Sequence, residues 1–333
     1  MQPNSTSIEL ALIKGRWVKI ICGASNEDLP SISDLCALYA AAGVQCIDIA
    51  ADLAVANAAR QGLDWVESRF GVRPWLMMSI NDGKDIHFRK AFFNSNLCPP
   101  DCLRPCEKVC PAEAIIKEVI EDKCYGCGRC LPICPLGIIK TKDKFLTLDE
   151  LKKLLFKANP DAIEIHTSPG RIKDFEALIK IISQTKLPFK RIAVSSGLEG
   201  HAITATDLAK EFWQRYECLK SYNQKVIWQL DGRPMSGDLG KGTTKSAISL
   251  WQNLREIMPP GPIQLAGGTN AQTIKNIDTT VGLAGVAFGG KARKLIQPFL
   301  IEAQKQNKKL IDCSEGWVKA LKEAKELIHP WLN

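Results

Sequence analysis

Eight of the thirteen cysteines of the chain fall in one stretch that begins at Cys98 and ends at Cys134. The second half of this stretch, 124–135, reads C-x2-C-x2-C-x3-C-P, which is the spacing of bacterial ferredoxins. Three closely spaced thiolates surround one iron–sulfur cluster, and glycines between them allow the tight turns this requires. The spacing therefore predicts iron–sulfur chemistry.

The first half of the stretch, 98–111, also ends in C-x3-C-P, but its two earlier spacings are x3 instead of x2. In two-cluster ferredoxins the fourth cysteine of each run ligates the other cluster. The crossed rule assigns Cys98, Cys102, Cys106 and Cys134 to cluster 1, and Cys110, Cys124, Cys127 and Cys130 to cluster 2. The wider spacing leaves cluster 1 as either [4Fe–4S] or [3Fe–4S], whereas cluster 2 is expected to be [4Fe–4S].

Structural zinc is the alternative for these eight thiolates, because two zinc sites with four cysteine ligands each would use the same number. Zinc-binding cysteine pairs are usually separated by longer spacers than x2-C-x2, which favours iron–sulfur clusters. The other cysteines stand singly in helical or strand patterns and are expected to be small buried apolar residues. They are Cys22, Cys36, Cys46, Cys218 and Cys313.

Outside the cysteine stretch, short apolar runs rich in β-branched residues alternate with helical patterns. The predicted strands are 17–22, 46–50, 74–80, 162–166, 191–195, 226–230, 262–266 and 283–288. The predicted helices are 33–42, 53–69, 148–157, 172–184, 205–219 and 245–257, one after Asn270, and closing helices at the C-terminus. Eight such units predict a parallel (β/α)8-type barrel, with an open doubly wound sheet as the alternative.

The third predicted strand is not followed by its helix until Leu148. The sequence thus predicts a discontinuous barrel, 1–87 and 146–333, with a bacterial 2[4Fe–4S] ferredoxin-like insertion at 88–145. The insertion leaves the C-terminal end of a strand, where the active sites of barrels lie. We therefore expect it to cover the barrel mouth.

Further polar signals fall at the predicted barrel mouth. His166 ends the fourth strand, and Asp231 and Arg233 follow the sixth, which makes these three candidate catalytic residues; an ordinary structural role is the alternative. Glycine-rich segments after strands seven and eight are candidates for binding FMN or another phosphate ligand, with simple turn formation as the alternative. The residues involved are Gly267, Gly268, Thr269, Gly289, Gly290 and Arg293.

The formal net charge is +8, and the basic residues are scattered among acidic ones. This pattern is typical of a solvated surface or of a face that docks an acidic partner. No dense basic run interleaves with aromatic residues, which argues against nucleic-acid binding. No signal peptide is recognisable and no apolar stretch reaches the roughly 18 residues of a membrane span, so we expect a cytoplasmic protein.

The cysteine motif occurs together with QLDGRPMSGD at 229–238 and LAGGTN at 265–270. In this combination the chain resembles the cyanobacterial light-dependent period family, LdpA, over most of its length. The resemblance implies an input component of the circadian clock whose clusters report cellular redox state, and so light, to clock-associated signalling proteins. The eight cluster cysteines carry over to this sequence, whereas no catalytic residue does.

Two functions follow as hypotheses. A redox sensor would exchange electrons with a quinone or ferredoxin pool and change its docking to partners. An iron–sulfur flavoenzyme would instead pass electrons to a flavin held at Gly267, Gly268, Gly289 and Arg293. The residues alone indicate an iron–sulfur electron-transfer protein on an α/β barrel, and the resemblance favours the non-enzymatic sensor.

Overall fold

Eight parallel strands close into a barrel in the computed structural model. The structure describes residues 5–22, 29–83, 89–110, 113–121, 123–124, 128, 130–143, 146–198, 200–232, 242–277 and 280–332. The strands are β1 (Trp17–Ile21), β2 (Cys46–Ala50), β3 (Trp75–Asn81), β4 (Arg89–Phe92), β5 (Lys140–Asp143), β6 (Ala162–His166), β7 (Ile192–Ser196), β8 (Val226–Asp231), β9 (Ile263–Ala266) and β10 (Gly285–Phe288). The barrel order is β1-β10-β9-β8-β7-β6-β3-β2. The predicted (β/α)8 barrel is confirmed, and the open sheet is excluded.

Most of the described helices pack around this barrel. The described helices are α1 (Ser5–Ile13), α2 (Leu29–Ala42), α3 (Leu53–Phe70), α4 (Pro105–Lys108), α5 (Cys130–Ile133), α6 (Leu148–Ala158), α7 (Ile172–Gln184), α8 (Ala205–Ser221), α9 (Thr244–Leu254), α10 (Gly290–Lys305) and α11 (Ser314–Leu332). Of these, α4 and α5 belong to the cysteine segment. Short 3-10 turns lie at Ser95–Leu97, Ile274–Asn276 and Leu310–Asp312. No helix in the described ranges combines the length and the apolar character that crossing a membrane requires.

The helix predicted after Asn270 is only a single 3-10 turn, Ile274–Asn276. The Thr273 hydroxyl accepts from the Asn270 amide, and the Asn270 side chain accepts from the Gln272 amide. These are the contacts of a helix N-terminus, so a helical turn starts here as expected, but it ends at Ile277, whose backbone is extended with φ −99° and ψ 119°.

The two faces of each barrel strand pack against different parts of the molecule. Val18, Ile20, Ile47 and Ile49 point outward and belong to the large apolar core shared with the helices. The alternate positions fill the barrel interior, because successive side chains of a strand point to opposite faces. The N-terminal end of the interior is apolar and is closed by two residues of α1. Its members are Ile8, Leu12, Trp17, Cys46, Trp75, Met77, Ala162, Ala193, Ile227 and Ala284.

The strands β4 and β5 lie outside the barrel and pair with each other in antiparallel fashion. Their register places Lys90 opposite Lys142. Both strands fall within the segment 88–145 that was predicted as an insertion, between β3 and α6 of the barrel. A small apolar cluster fills the space beneath this ribbon; its buried members are Ala91, Cys106, Ala114, Ile115, Cys124, Cys130 and Ile139.

Gly62 lies in the middle of α3 at its closest approach to α2. A Cβ atom at Gly62 would lie 2.1 Å from the Ser33 carbonyl oxygen. Glycine in a helix interior costs about 1 kcal/mol relative to alanine, so this close packing explains why it is tolerated here.

We predict that Gly62→Ala lowers the free energy of unfolding by about 1–3 kcal/mol, because overpacking the α2–α3 contact outweighs the gain in helix propensity. Urea unfolding followed by circular dichroism measures this change. The matched control is Gln61→Ala, on the exposed side of the same helix turn, which should leave stability unchanged or slightly higher. A Gly62→Ala chain that is as stable as its control would contradict the packing argument.

Candidate functional site

The cysteine segment gathers most of its described thiols around one apolar cluster. Cys106, Cys124 and Cys130 are buried in that cluster, and Cys110 and Cys134 pack at its edge. Two short helical turns position the buried thiols: α4 carries Cys106 directly after Pro105, and α5 begins at Cys130. The chain thus brings cysteines from both halves of the motif to one place.

Backbone N–H groups point at several of these sulfur atoms. The amide of Ala91 on β4 donates to Cys124 Sγ over 3.4 Å, and the amide of Ala114 donates to Cys110 Sγ over 3.2 Å. At Cys134 desolvation opposes ionisation, but amides from 136–139 donate to the sulfur and lower the pKa of the thiol. Because iron binds the thiolate form, donors of this kind fit cluster ligands.

The widened half of the motif is also assembled. Cys98, Cys102 and Cys106 lie close enough together to interact electrostatically. Partial desolvation, then the Cys102 thiol, raise the pKa of Cys98 above its ordinary value. The structure therefore brings together Cys98, Cys102 and Cys106, which are three of the four residues assigned to cluster 1.

Among the described residues, no three His, Cys, Asp or Glu side chains converge tightly enough to bind one metal ion. The ligands of an iron–sulfur cluster lie farther apart than those of a single metal ion, because each thiolate binds a different iron atom. Cys127 lies outside the described residues, and the assignment of the eight cysteines to two clusters stays a prediction.

A second group of side chains, polar and charged, fills the half of the barrel interior nearer the C-terminal ends of the strands. Lys19 on β1 forms ion pairs with Asp48 on β2, at 3.3 Å, and with Glu164 on β6, and all three side chains are buried. Burial disfavours the ammonium, but the two carboxylates outweigh it and raise the pKa of Lys19. Burial likewise opposes the carboxylate of Glu164, but Lys19 holds its pKa below the ordinary value.

Two glutamines connect this ion triad to neighbouring strands. Gln229 Nε2 on β8 donates to Glu164 Oε1 over 2.7 Å and lies 3.1 Å from both Ser195 Oγ and Asp231 Oδ1. Gln264 on β9 donates to Gln229 Oε1 over 2.6 Å. The network consequently spans the barrel and fixes the side chains relative to one another.

His166 and Asp231, two of the predicted catalytic residues, meet at the top of this network. His166 Nε2 lies 3.2 Å from Glu164 Oε1, and Nδ1 lies 3.3 Å from Ser195 Oγ. The Ser195 hydroxyl donates to Asp231, so its oxygen can only accept from His166. Nδ1 is therefore the donor to Ser195, and the Glu164 carboxylate beside Nε2 favours the imidazolium form.

The electrostatics of the two residues agree with this assignment. Desolvation opposes the imidazolium, but Glu164, then Asp231 and Asp48, raise the pKa of His166. Burial raises the pKa of Asp231 to about 6. The His166 side chain is 34 % exposed, which leaves this end of the network open to solvent. Arg233, the third candidate, lies outside the described residues.

Sequence analysis missed Lys19, Asp48, Glu164, Ser195 and Gln229. The signal was present, because each is a polar residue inside an otherwise apolar strand, as in WVKII, CIDIA and AIEIH. A buried charge in such a strand needs partners, and the alternation of side chains points these residues into one barrel.

The glycine-rich segment after β9 makes close contacts within the fold. Gly267 and Gly268 adopt positive φ angles of 68° and 87°. A Cβ atom at Gly268 would lie 2.7 Å from the Thr243 carbonyl oxygen, and the buried Thr269 hydroxyl donates to the Ala287 carbonyl. These contacts favour turn formation at 267–269.

The segment after β10 leads directly into a helix. Gly289 precedes α10, which begins at Gly290, and Arg293 in its first turn donates to the Ile21 carbonyl over 3.4 Å. This position is compatible with an anion, and a phosphate or FMN site stays a prediction here.

We predict that Lys19→Met lowers the free energy of unfolding by about 3–5 kcal/mol, because it leaves two carboxylates buried without their cation. The loss should shrink as the pH is lowered from about 8 to about 5, since protonation neutralises those carboxylates and the folded state then binds more protons than the unfolded state. Burial already raises the pKa of Asp48 to about 6 in the intact triad.

Urea unfolding at several pH values measures these effects. The exposed Lys153→Met is the control and should change stability by no more than about 0.5 kcal/mol. Adding Glu164→Gln to Lys19→Met should restore part of the stability. Equal stability of the Lys19→Met and Lys153→Met chains at pH 8 would show that the triad does not stabilise the barrel.

Comparison with known proteins agrees with the chemistry of the cysteine segment. Residues 98–145 match the family described as the LdpA Fe-S cluster-binding domain. A ferredoxin of uncharacterized function from Methanocaldococcus jannaschii is 32% identical over 74 residues, which are 20% of this chain and 49% of that protein. One subunit of an ion-translocating oxidoreductase complex from Methanosarcina acetivorans is 36% identical over 74 residues, which are 20% of this chain and 25% of that protein. The chain therefore carries an iron–sulfur cluster-binding domain.

The barrel also has a matching family. Residues 154–330 match the Light dependent period A C-terminal domain. Light dependent period A from Synechococcus elongatus is 42% identical over 330 residues, which cover 96% of this chain and 92% of that protein. An identity of this size over nearly the full length of both proteins, together with the two domain matches, shows that the chain belongs to the Light dependent period A family.

Proposed function

We propose that this protein senses the cellular redox state, and with it light, through two iron–sulfur clusters and passes that state to the circadian clock. The observation that carries the proposal is the cysteine segment with its N–H donors, in a chain similar over 96% of its length to Light dependent period A. The name of that relative supplies the link to a light-dependent period.

The surroundings of the cysteines suit a sensor. The potential of an iron–sulfur cluster depends on hydrogen bonds to sulfur and on exposure, and spans roughly −700 to +450 mV. Buried thiols such as Cys124 accept N–H bonds, whereas Cys98 and Cys102 are partly exposed. The exposed side offers electrons a short path to a soluble donor, for which we propose the quinone or ferredoxin pool.

The same segment displays apolar side chains to solvent. Leu103 is 84 % exposed and Leu97 is 60 % exposed, and Ile116 and Leu136 are exposed as well. Several exposed apolar side chains on one short segment are typical of surfaces that dock partners. We propose that redox carriers and clock-associated signalling proteins bind here, and that partner affinity differs between the oxidised and reduced states.

We predict that Cys130→Ser reduces the iron content of anaerobically purified protein from about eight to about four atoms per chain, because it removes one ligand of cluster 2. Iron and sulfide analysis together with electron paramagnetic resonance measures the loss. In a cyanobacterial host whose own copy is replaced, the variant should abolish the dependence of the clock period on light intensity.

The matched control is Cys218→Ser, a partly exposed thiol on α8 outside the cysteine segment. It should keep both the full iron content and the light response. A Cys130→Ser host that loses iron from the protein but retains a normal light response would contradict the sensor role. Zinc in place of iron in the native protein would contradict the clusters themselves.

The network around His166 and Asp231 favours a second candidate, an iron–sulfur oxidoreductase with its active site at the barrel mouth. A proton shared between these residues through Ser195 is what acid–base chemistry requires. Flavin bound at 267–269 and 289–293 would complete such an enzyme. The absorption spectrum separates the two candidates, because flavin bands in the purified or FMN-reconstituted protein support the enzyme, and iron–sulfur bands alone support the sensor.

A further inference from the structure

Lys90 on β4 is a buried cation in the two-stranded ribbon. It is 8 % exposed, whereas the side chain of Lys142, its partner across the ribbon, is 50 % exposed. Two lysines directly opposite each other repel, so the burial of one needs compensation. Lys90 Nζ lies 2.7 Å from the carbonyl oxygen of Glu121 and 3.1 Å from Asp52 Oδ2.

These two acceptors belong to different parts of the molecule. Glu121 is in the cysteine segment, whereas Asp52 follows β2 at the C-terminal end of the barrel. Asp52 is also the N-cap of α3, and its Oδ1 accepts from the amides of Ala54, at 2.8 Å, and Val55, at 3.4 Å. One carboxylate therefore caps a barrel helix with one oxygen and holds the cysteine segment with the other.

The residue after Lys90 faces the opposite way and touches a cysteine. Side chains alternate along a strand, so Lys90 reaches the barrel while Ala91 is buried in the apolar cluster of the cysteines. The Ala91 amide donates to Cys124 Sγ. Two consecutive residues of β4 thus connect a helix N-cap of the barrel to a predicted ligand of cluster 2.

We propose that Lys90 is a positioning residue that couples the redox state of the cluster at Cys124 to the first turn of barrel helix α3 through Asp52. The proposal rests on the proposed function. A one-electron donor, such as a reduced ferredoxin, would add one negative charge beside β4. That charge competes with Asp52 for the Lys90 ammonium and strengthens the hydrogen bond from the Ala91 amide to the sulfur. As its contact with Lys90 changes, Asp52 also changes its capping hydrogen bonds to the first turn of α3.

Coupling of this kind is reciprocal, so changes at Asp52 must alter the cluster potential. Lys90→Met removes a cation near the cluster and should lower the midpoint potential of cluster 2. Asp52→Asn keeps a good N-cap residue but removes the competing charge, and should raise that potential. The effect of Asp52→Asn should be largely lost when Lys90→Met is already present, because the coupling passes through Lys90.

The experiment is a double-mutant cycle on the full-length protein, with midpoint potentials from redox titrations followed by electron paramagnetic resonance. Lys90→Arg retains the charge and should restore a potential near that of the native protein. Lys142→Met, across the same ribbon, is the control and should shift the potential little. Additive effects of Asp52→Asn and Lys90→Met, or no shift from either, would overturn the proposal.

Hydrogen exchange supplies a second readout that does not depend on any activity. Reduction with dithionite should change exchange of the Ala54 and Val55 amides several-fold in the native protein, but not in Lys90→Met. Iron and sulfide counts distinguish the possible failures. Absence of iron removes both proposals; full iron content with a redox-insensitive α3 overturns the coupling alone; and coupling without any light response overturns the sensor alone.

Discussion

A closed ring of parallel strands leaves an interior that side chains must fill, and this constraint organises the whole chain. The N-terminal end is filled by aromatic and aliphatic side chains such as Trp17 and Trp75. The other end is filled by charge, and a buried charge is tolerated only with a partner. Lys19, Asp48 and Glu164 come from three strands, so their pairing requires the barrel to be closed in the correct register. The ion triad is thus evidence of closure as well as a consequence of it.

The same geometry separates stability from function. The N-terminal end is closed by α1, whereas the C-terminal end carries the loops, and loops tolerate insertion without disturbing the strands. The cysteine segment follows β3 at that end and contacts the loop after β2 through Lys90 and Asp52. The cysteine segment and a polar barrel mouth therefore lie on the same side of the molecule.

Much of this could be predicted from the sequence, and the reasons differ by feature. Apolar strands buried on both faces stand out locally, and all eight barrel strands were predicted within a residue or two. The cysteine motif could be recognised because the spacing of its ligands is a local feature of the sequence.

The choice of a barrel over an open sheet depends on whether β1 pairs with β10, which lies almost the whole chain away. No local pattern shows this pairing. The charged residues inside the strands could be seen in the sequence. The carboxylates that pair with the buried Lys19 ammonium could be identified only from the fold. The helix predicted after Asn270 is a single turn, because Asn270 and Thr273 make the contacts of a helix N-terminus but the backbone becomes extended at Ile277.

The ribbon of β4 and β5 has a consequence for how the cysteine segment joins the barrel. Arg89 pairs with Asp143, so the polypeptide enters and leaves the cysteine segment at neighbouring points, about 5 Å apart between Cα atoms. A segment whose ends meet can be spliced into a loop of a host without stretching it. This segment is therefore a self-contained insertion whose two ends are held together by β4 and β5. The matches to a ferredoxin and to an oxidoreductase subunit, each covering only 20% of the chain, agree with such an insertion.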